Sequence, residues 1–325
     1  MADDRPVPAS QDDVAAAYQD NKLAQVLYHD WEAQTYDEKW SISFDQRCID
    51  YAREVFAHVL GPTRDEEPWP YRSTLEIGAG TGFFALNLRQ AGALHEVTVT
   101  DLSPGMVRAA QRNARSLGFE VAGEVADVES LPFADGTFDL VIGHAVIHHL
   151  PDVELSLREV LRVLRPGGRF LIAGEPTRWG HWYARRLGRL TWEATTRATR
   201  LGPLTPWARP QAELDDSSRA ALLEAVVDLH TFDPSELART ALRAGAVDVR
   251  TSTQELTAAL LGWPIRTFEA AINPEKLGVR WASFAFGSWK RLSAVDRVLA
   301  KALPQGLFYN VGVTGVKPGG VADGA

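Results

Sequence analysis

An α/β fold built on a doubly wound, Rossmann-like parallel sheet is what this sequence predicts, on three observations. From Ser73 onward, strand-like and helix-like patterns alternate. The first strand runs into LEIGAGTGFFALNL, residues 75 to 88, where Gly78, Gly80 and Gly82 stand at alternate positions before a helix. Acids then close the next two strands, Asp101 after HEVTVTD and Asp127 in VADVES. Such alternation predicts parallel strands with helices on both faces, and ligands at the carboxyl ends of those strands.

Taken in order, residues 1–72 form an unstructured start followed by an N-terminal helical cap, with helices expected near 13–38 and 43–60. GPTRDEEPWP, residues 61–70, reads as the linker into the sheet. The core, 73–176, holds strands near 73–77, 95–100, 120–126, 138–143 and 168–174. Its helix from Asp152 to Arg165 carries Val153, Leu157, Val160, Leu161 and Leu164 on one stripe, with acids in the first turn and arginines in the last, before Pro166, Gly167 and Gly168 stop it. Residues 177–230 are a helical insertion rich in arginine and tryptophan, 231–253 resume the core as a helix and sixth strand, and 254–305 are a second helical insertion. The last strand falls in 306–318 and a glycine-rich tail in 319–325.

The glycine loop sets the chemistry. Glycine reaches positive φ and lets backbone approach a bulky group, so this spacing makes a tight turn beneath a helix start. A dinucleotide loop reads GxGxxG, but Phe83 stands where its third glycine belongs. Glu76, two residues ahead, repels a diphosphate and suits a cationic ligand. S-adenosylmethionine carries both a sulfonium and an ammonium. Asp101, nineteen residues past Gly82, can accept hydrogen bonds from two ribose hydroxyls. Read alone, the loop is also an ordinary strand-to-helix turn, and Asp127 an ordinary helix N-cap.

Composition bounds the rest. The chain has 325 residues, 45% of them hydrophobic, enough for a full core with additions to a common sheet. A single cysteine, Cys48, excludes an internal disulfide, and the first residues lack the basic and apolar regions of a signal peptide, so a cytoplasmic location is expected. A net charge of -8 argues against nucleic acid as partner. That charge is uneven: residues 1–37 hold eight acids against Arg5 and Lys22, while residues 178–209 hold seven arginines against Glu193 alone.

With LPFADGTFDLV, HHLPD and LREVLRVLRPGGRFLIAGEP following the loop in order, residues 75 to 175 resemble class I S-adenosylmethionine-dependent methyltransferases, closest in wording to the ubiquinone and menaquinone methyltransferase branch. The resemblance implies a seven-stranded sheet with the last strand antiparallel. It implies that Gly78, Gly80 and Gly82 flank the methionine part of the cofactor, that Asp101 holds the ribose and Asp127 the adenine amine, and that Glu76, Leu102, Val128 and His144 also bind the cofactor. His144 lies beside that site, and a cap of this kind closes over the cofactor, making Tyr36, Asp37 and Trp40 candidates to line it, or simply to pack the cap.

The acceptor is less defined. An activated methyl needs alignment, exclusion of water and the handling of one proton, for which His148 and His149 are candidate general bases; His149 has an alternative role bonding the loop backbone. Seven of the ten tryptophans lie in or beside the two insertions, so Trp179, Trp182 and Tyr183 are candidate acceptor contacts, with lid packing as the alternative. The arginine and tryptophan stretch has three readings: a solvated face, an interfacial helix on an anionic membrane, or a clamp for an acidic substrate. The acceptor expected is a small, apolar or aromatic molecule of lipid or quinone type, methylated on O, C or N. RNA methylation and non-catalytic cofactor binding are the rival functions, no metal is expected, and the oligomeric state is not legible.

Overall fold

The computed structural model describes residues 20–33, 36–39, 42–61, 69–211, 214 and 227–319. Residues 1–19, Trp40, most of the 61–70 linker and most of 212–226 lie outside the described residues, as does nearly all of the tail. One mixed sheet organises the rest, from β1 (Tyr71–Glu76), β2 (Leu94–Asp101), β3 (Ala122–Val125), β4 (Phe138–His144), β5 (Leu164–Pro176), β6 (Val247–Gln254) and β7 (Asn310–Val316). Their order is β3-β2-β1-β4-β5-β7-β6. Pairings among β1 to β5 are parallel, whereas β7 runs antiparallel to both β5 and β6. The expected seven-stranded sheet with its reversed last strand is therefore what the chain forms.

Both faces of the sheet are covered, and strand side chains alternate between two cores. On β4, Leu140 and Ile142 join one cluster with α3 (Gln46–Leu60), α4 (Phe83–Gln90) and α5 (Pro104–Ser116), while Val141 joins the other. That second cluster includes Leu157, Val160 and Leu161 of α6 (Val153–Val163) and Leu237 and Ala241 of α8 (Pro234–Arg243). Burial on both faces is why these strands read as continuous apolar runs rather than alternating ones. The α6 stripe sits as its periodicity predicts, capped by Asp152, but the helix ends at Val163 and β5 begins at Leu164. Gly167, at φ 79, turns the chain inside the strand instead of before it.

Two helical layers sit over the carboxyl ends of the strands. The N-terminal layer is α1 (Asn21–Glu32) and the short α2 (Tyr36–Lys39). The second comprises α7 (Arg178–Ala198), started by Thr177 as N-cap, α9 (Thr257–Ala271) and α10 (Val279–Leu299), with α9 packed on both α7 and α10. Among the described residues no helix is long and apolar enough to cross a membrane.

Candidate active site

The loop after β1 does what three alternate glycines allow. Gly78, Gly80 and Gly82 have φ of 54, 53 and 87, all in the left-handed region where a Cβ is penalised. Their surroundings differ. A Cβ on Gly78 would stand 2.2 Å from Val146 Cγ2, and one on Gly82 2.8 Å from Leu86 Cδ1, whereas one on Gly80 would meet nothing nearer than Tyr36 Cε1 at 3.8 Å. Gly78 and Gly82 are thus bare because protein is there; Gly80 is bare on the side that faces a cavity.

That cavity, about 660 Å³, extends along the strand ends and is lined by Glu76, Gly78, Gly80, Asp101, Asp127, Val128 and the other predicted cofactor residues Tyr36, Gly174's neighbour His144 and Leu102. Its volume lies in the range of ligand sites. Gly82, in the third loop position, supports the turn from behind. Asp101 Oδ2 accepts the Gly80 N–H at 2.9 Å and Oδ1 accepts that of Ser103 at 2.9 Å. Burial pushes its carboxyl up to about 6 despite those bonds. Glu76 is 2% exposed; its Oε1 accepts the Ala85 N–H at 3.3 Å, while Oε2 is buried with no partner. Desolvation raises this carboxyl well above its ordinary value. An orphaned carboxylate oxygen on a cavity wall is costly unless a cationic or donor ligand completes it. S-adenosylmethionine, with its ammonium, fits that requirement.

Asp127 is not free to wait for an adenine. Lys22 Nζ, from α1, lies 2.5 Å from its Oδ2 and 2.6 Å from Glu129 Oε2. Sequence reasoning missed this lysine, which stood out only as one of two cations in an acidic segment. The cap is tied down by further polar bonds: Gln25 Nε2 donates to Val227 O and His149 O, and Asp30 accepts from Ser103 Oγ and from Gly105 N. Asp37, a candidate cavity residue, instead accepts from Thr81 Oγ1 at 2.5 Å and Asn113 Nδ2 at 3.2 Å, fastening α2 to the glycine loop.

The three histidines after β4 have separate settings. His144 is half-buried, its Nε2 3.3 Å from the Tyr51 hydroxyl, and desolvation takes it down to about 4, so it stays neutral. His148 Nδ1 is 2.7 Å from Glu175 Oε2. Glu175 is fully buried and also accepts the N–H groups of Val146, Ile147 and His148, so one carboxylate shapes the whole turn. His149 Nδ1 donates to Val227 O at 3.1 Å, a carbonyl from a distant segment and not from its own loop, and burial holds its pKa well below the usual imidazole range. Asp228 Oδ1 approaches both rings, 3.6 Å from His148 Nε2 and 3.4 Å from His149 Nδ1. Neither Glu175 nor Asp228 was singled out from sequence: Glu175 stands inside the LREVLRVLRPGGRFLIAGEP motif as an apparent strand residue, and Asp228 lies beyond the recognisable motifs.

The acceptor contacts expected on α7 are displaced. Trp179 and Trp182 do not line the cavity: they are 59% and 47% exposed, stack edge to face at 5.7 Å, and Arg186 covers Trp182 at 4.1 Å. Tyr183 turns its hydroxyl to Glu255 O at 3.4 Å and is also absent from the lining. α7 presents the two tryptophans outward because the side it buries is packed on α9. Of that helix only His181 among these positions reaches the cavity. The aromatic wall comes instead from Trp263, Phe286, Trp289, Tyr309 and Tyr51, with Glu255 among them accepting from Trp289 Nε1 and Asn310 Nδ2. Glu255 holds a left-handed φ of 65, a strained backbone at the junction of β6 and α9.

Residues 75–172 match the family model described as a methyltransferase domain. A demethylmenaquinone methyltransferase of Thermus thermophilus is 39% identical over 102 residues, 31% of this chain and 46% of that protein. A ubiquinone/menaquinone biosynthesis C-methyltransferase of Pasteurella multocida is 39% identical over 103 residues, covering 30% and 38%. A malonyl-[acyl-carrier protein] O-methyltransferase of Methylococcus capsulatus is 34% identical over 154 residues, covering 45% and 55%. The chain thus spans about half or less of the length of these curated relatives. Among solved structures, a Haemonchus contortus phosphoethanolamine N-methyltransferase with S-adenosyl-L-methionine aligns over 83% of this chain and 52% of that one, at 16% identity and a TM-score of 0.47.

Proposed function

We propose, from a chain whose residues 75–172 form a class I S-adenosylmethionine-dependent methyltransferase domain, that the protein methylates a small, largely apolar acceptor held between the strand ends and the α9–α10 layer. The observation that carries this is the single cavity joining two unlike walls. One is the glycine loop with the unpartnered Glu76 oxygen; the other is the aromatic group of Trp263, Phe286, Trp289 and Tyr309. The cofactor, when bound, supplies a methyl group already activated by positive sulfur.

The chain's own part is alignment, dryness and one proton. Glu76 pairs with the ammonium, the Gly80 backbone leaves room for the methionine portion, and Asp101 accepts from the ribose. Tyr36 and His29 of the cap close the site from above. Large aromatic walls suit a flat or aliphatic acceptor, because each ring covers much area while losing few rotors. His148 and His149, with Asp228 beside them, are the groups to which we assign the proton of a hydroxyl or acidic carbon.

A lipid- or quinone-like acceptor agrees with the enzymes named above, and exposed Trp179, Trp182 and Leu190 beside the arginines of α7 suit contact with an anionic membrane. Incubation with methyl-labelled cofactor and fractionated cell extract tests the function: label is expected in an apolar small-molecule fraction. Label in RNA, or in no fraction despite cofactor binding, would end this reading. Flotation with anionic liposomes that fades in high salt is the outcome expected of the membrane contact, and no flotation at low salt would remove it.

A further inference from the structure

We propose that Glu255 selects the methyl acceptor, and that the acceptor is an apolar molecule bearing one hydrogen-bond donor, a hydroxyl or a protonated amine, which this carboxylate receives. That the bound molecule is then methylated rests on the function proposed above; that it binds at Glu255 does not.

Glu255 lines the cavity within the aromatic wall. Its Oε1 accepts from Trp289 Nε1 at 3.2 Å, and the Trp289 ring stacks on Phe286 at 6.0 Å and lies 5.8 Å from Tyr51. Its Oε2 accepts from Asn310 Nδ2 at 3.1 Å, one residue along from Tyr309, whose ring is 5.3 Å from that of Trp263. One carboxylate therefore ties together two groups of rings, from α3 and α10 on one side and from α9 and the turn before β7 on the other.

Holding those rings does not require a charge. An amide oxygen would accept from Trp289 equally well, and without the desolvation that an ionised group suffers beside aromatic rings. That desolvation raises the Glu255 carboxyl above its ordinary value; Asp296 adds to the rise, while Trp289 and the charge of Arg266 oppose it. A carboxylate offers about four acceptor positions, and Trp289 and Asn310 fill one on each oxygen. The remaining capacity belongs to a residue on the cavity wall. An acceptor with a donor there completes the carboxylate, and a protonated amine gains further from the electron-rich ring faces. A wholly apolar molecule would press hydrocarbon on a charged group, which the site therefore rejects.

The backbone agrees with this assignment. At φ 65 residue 255 occupies a region that a side chain disfavours, and glycine would serve the β6–α9 junction with less strain. The conformation is held by its own carbonyl, which accepts the Tyr309 N–H at 2.8 Å and the Tyr183 hydroxyl at 3.4 Å. Tyr183, expected to touch the acceptor, instead steadies the residue that does. Glu255 acts by orientation, and the rings of Trp263, Phe286 and Trp289 supply the apolar contact.

The test uses three fluorescent bicyclic probes titrated into the full chain with S-adenosylhomocysteine present: 2-naphthol, 2-(aminomethyl)naphthalene, and 2-methoxynaphthalene, in which the donor is capped. At least one donor-bearing probe should bind about tenfold or more tightly than the capped one, and which of the two does so separates a hydroxyl from an amine acceptor. In Glu255→Ala that preference should fall below about threefold, whereas in Glu255→Gln a hydroxyl preference should persist in part and an ammonium preference should vanish. A purely structural Glu255 would weaken all three probes together and leave their ratio intact. S-adenosylhomocysteine affinity within about twofold of the parent reports that each variant folds. Equal affinities for capped and uncapped probes in the unaltered protein, no binding of any probe, or a preference that survives Glu255→Ala overturns the proposal. Failure of the unaltered protein to bind S-adenosylhomocysteine overturns the methyl-transfer reading separately, and the probes are then compared without it.

Discussion

The two ends of the cavity are built by different physics. At the cofactor end, each wall residue sits within a few positions of a strand end, and its backbone is fixed by sheet pairing: Glu76 closes β1, Asp101 closes β2, Asp127 follows β3. At the acceptor end, Tyr51, Trp263, Phe286, Trp289 and Tyr309 come from three helices and the turn before β7, which meet mainly by packing, with Glu255 accepting from Trp289 Nε1. A strand end demands particular residue types at particular spacings, so sequence records it. A helical wall demands only that something large and apolar face inward, and many sequences satisfy that.

Substitutions should separate the two ends. The largest effect is expected from Gly78→Ala, where both a left-handed φ and Val146 at 2.2 Å oppose a Cβ; a loss of roughly 2–4 kcal/mol in stability follows from strain plus overpacking. Gly80→Ala meets only Tyr36 Cε1 at an ordinary 3.8 Å contact and should cost about 1 kcal/mol of stability while reducing cofactor affinity more than stability. Thermal melts and calorimetry on the pair decide it: equal stability losses would contradict the different surroundings described for the two glycines.

Next in size is Glu76→Gln, which removes the charge offered to the cofactor's ammonium. Affinity for S-adenosylmethionine should fall by about 10–100-fold, the range of a hydrogen bond to a charged group. Unchanged affinity would detach Glu76 from the cofactor. On the opposite wall, Trp289→Ala should raise KM for the acceptor by about tenfold or more with cofactor affinity unmoved, whereas Trp179→Ala and Trp182→Ala, both exposed, should change stability by less than about 0.5 kcal/mol. If the α7 tryptophans mattered for a soluble acceptor and Trp289 did not, the wall would be on the wrong helix.

A smaller and pH-dependent effect belongs to Asp101. Its carboxyl is raised to about 6 from 3.8. A raised carboxyl favours the folded state when protonated, so that stabilisation is fully present below pH 3.8 and is lost as pH rises through about 6. Cofactor affinity should move the other way, rising over the same interval as the carboxylate becomes able to accept the ribose. Asp101→Asn should flatten both curves, and parallel rather than opposed pH profiles in the parent protein would refute the assignment. Smallest is Lys22→Met: the ion pair is partly exposed and worth about 0–1 kcal/mol, so cofactor Kd should shift by less than about fivefold.

How far the sequence could be read follows the same divide. The sheet and the glycine loop were legible because parallel strands, left-handed turns and strand-end acids each restrict residue type locally; the reversed last strand came only from the resemblance to a known family. Asp127 was legible as an acid but not as the partner of Lys22, since 105 residues separate them. Glu175 looked like part of a strand, and only the fold turns it back under the 147–149 turn. Of the tryptophans counted in the two insertions, Trp263 and Trp289 line the cavity while α7 turns Trp179 and Trp182 away from it, because their number says nothing about which side of a helix faces solvent.

Gln25 gives the cap a further significance. One amide bridges Val227 O and His149 O, so seating α1 over the donor and arranging the peptide that carries Asp228 are a single mechanical event. An enzyme made this way should load its two substrates in sequence, donor leading, and product-inhibition patterns would register that order directly; random addition would mean that the bridge yields without resistance.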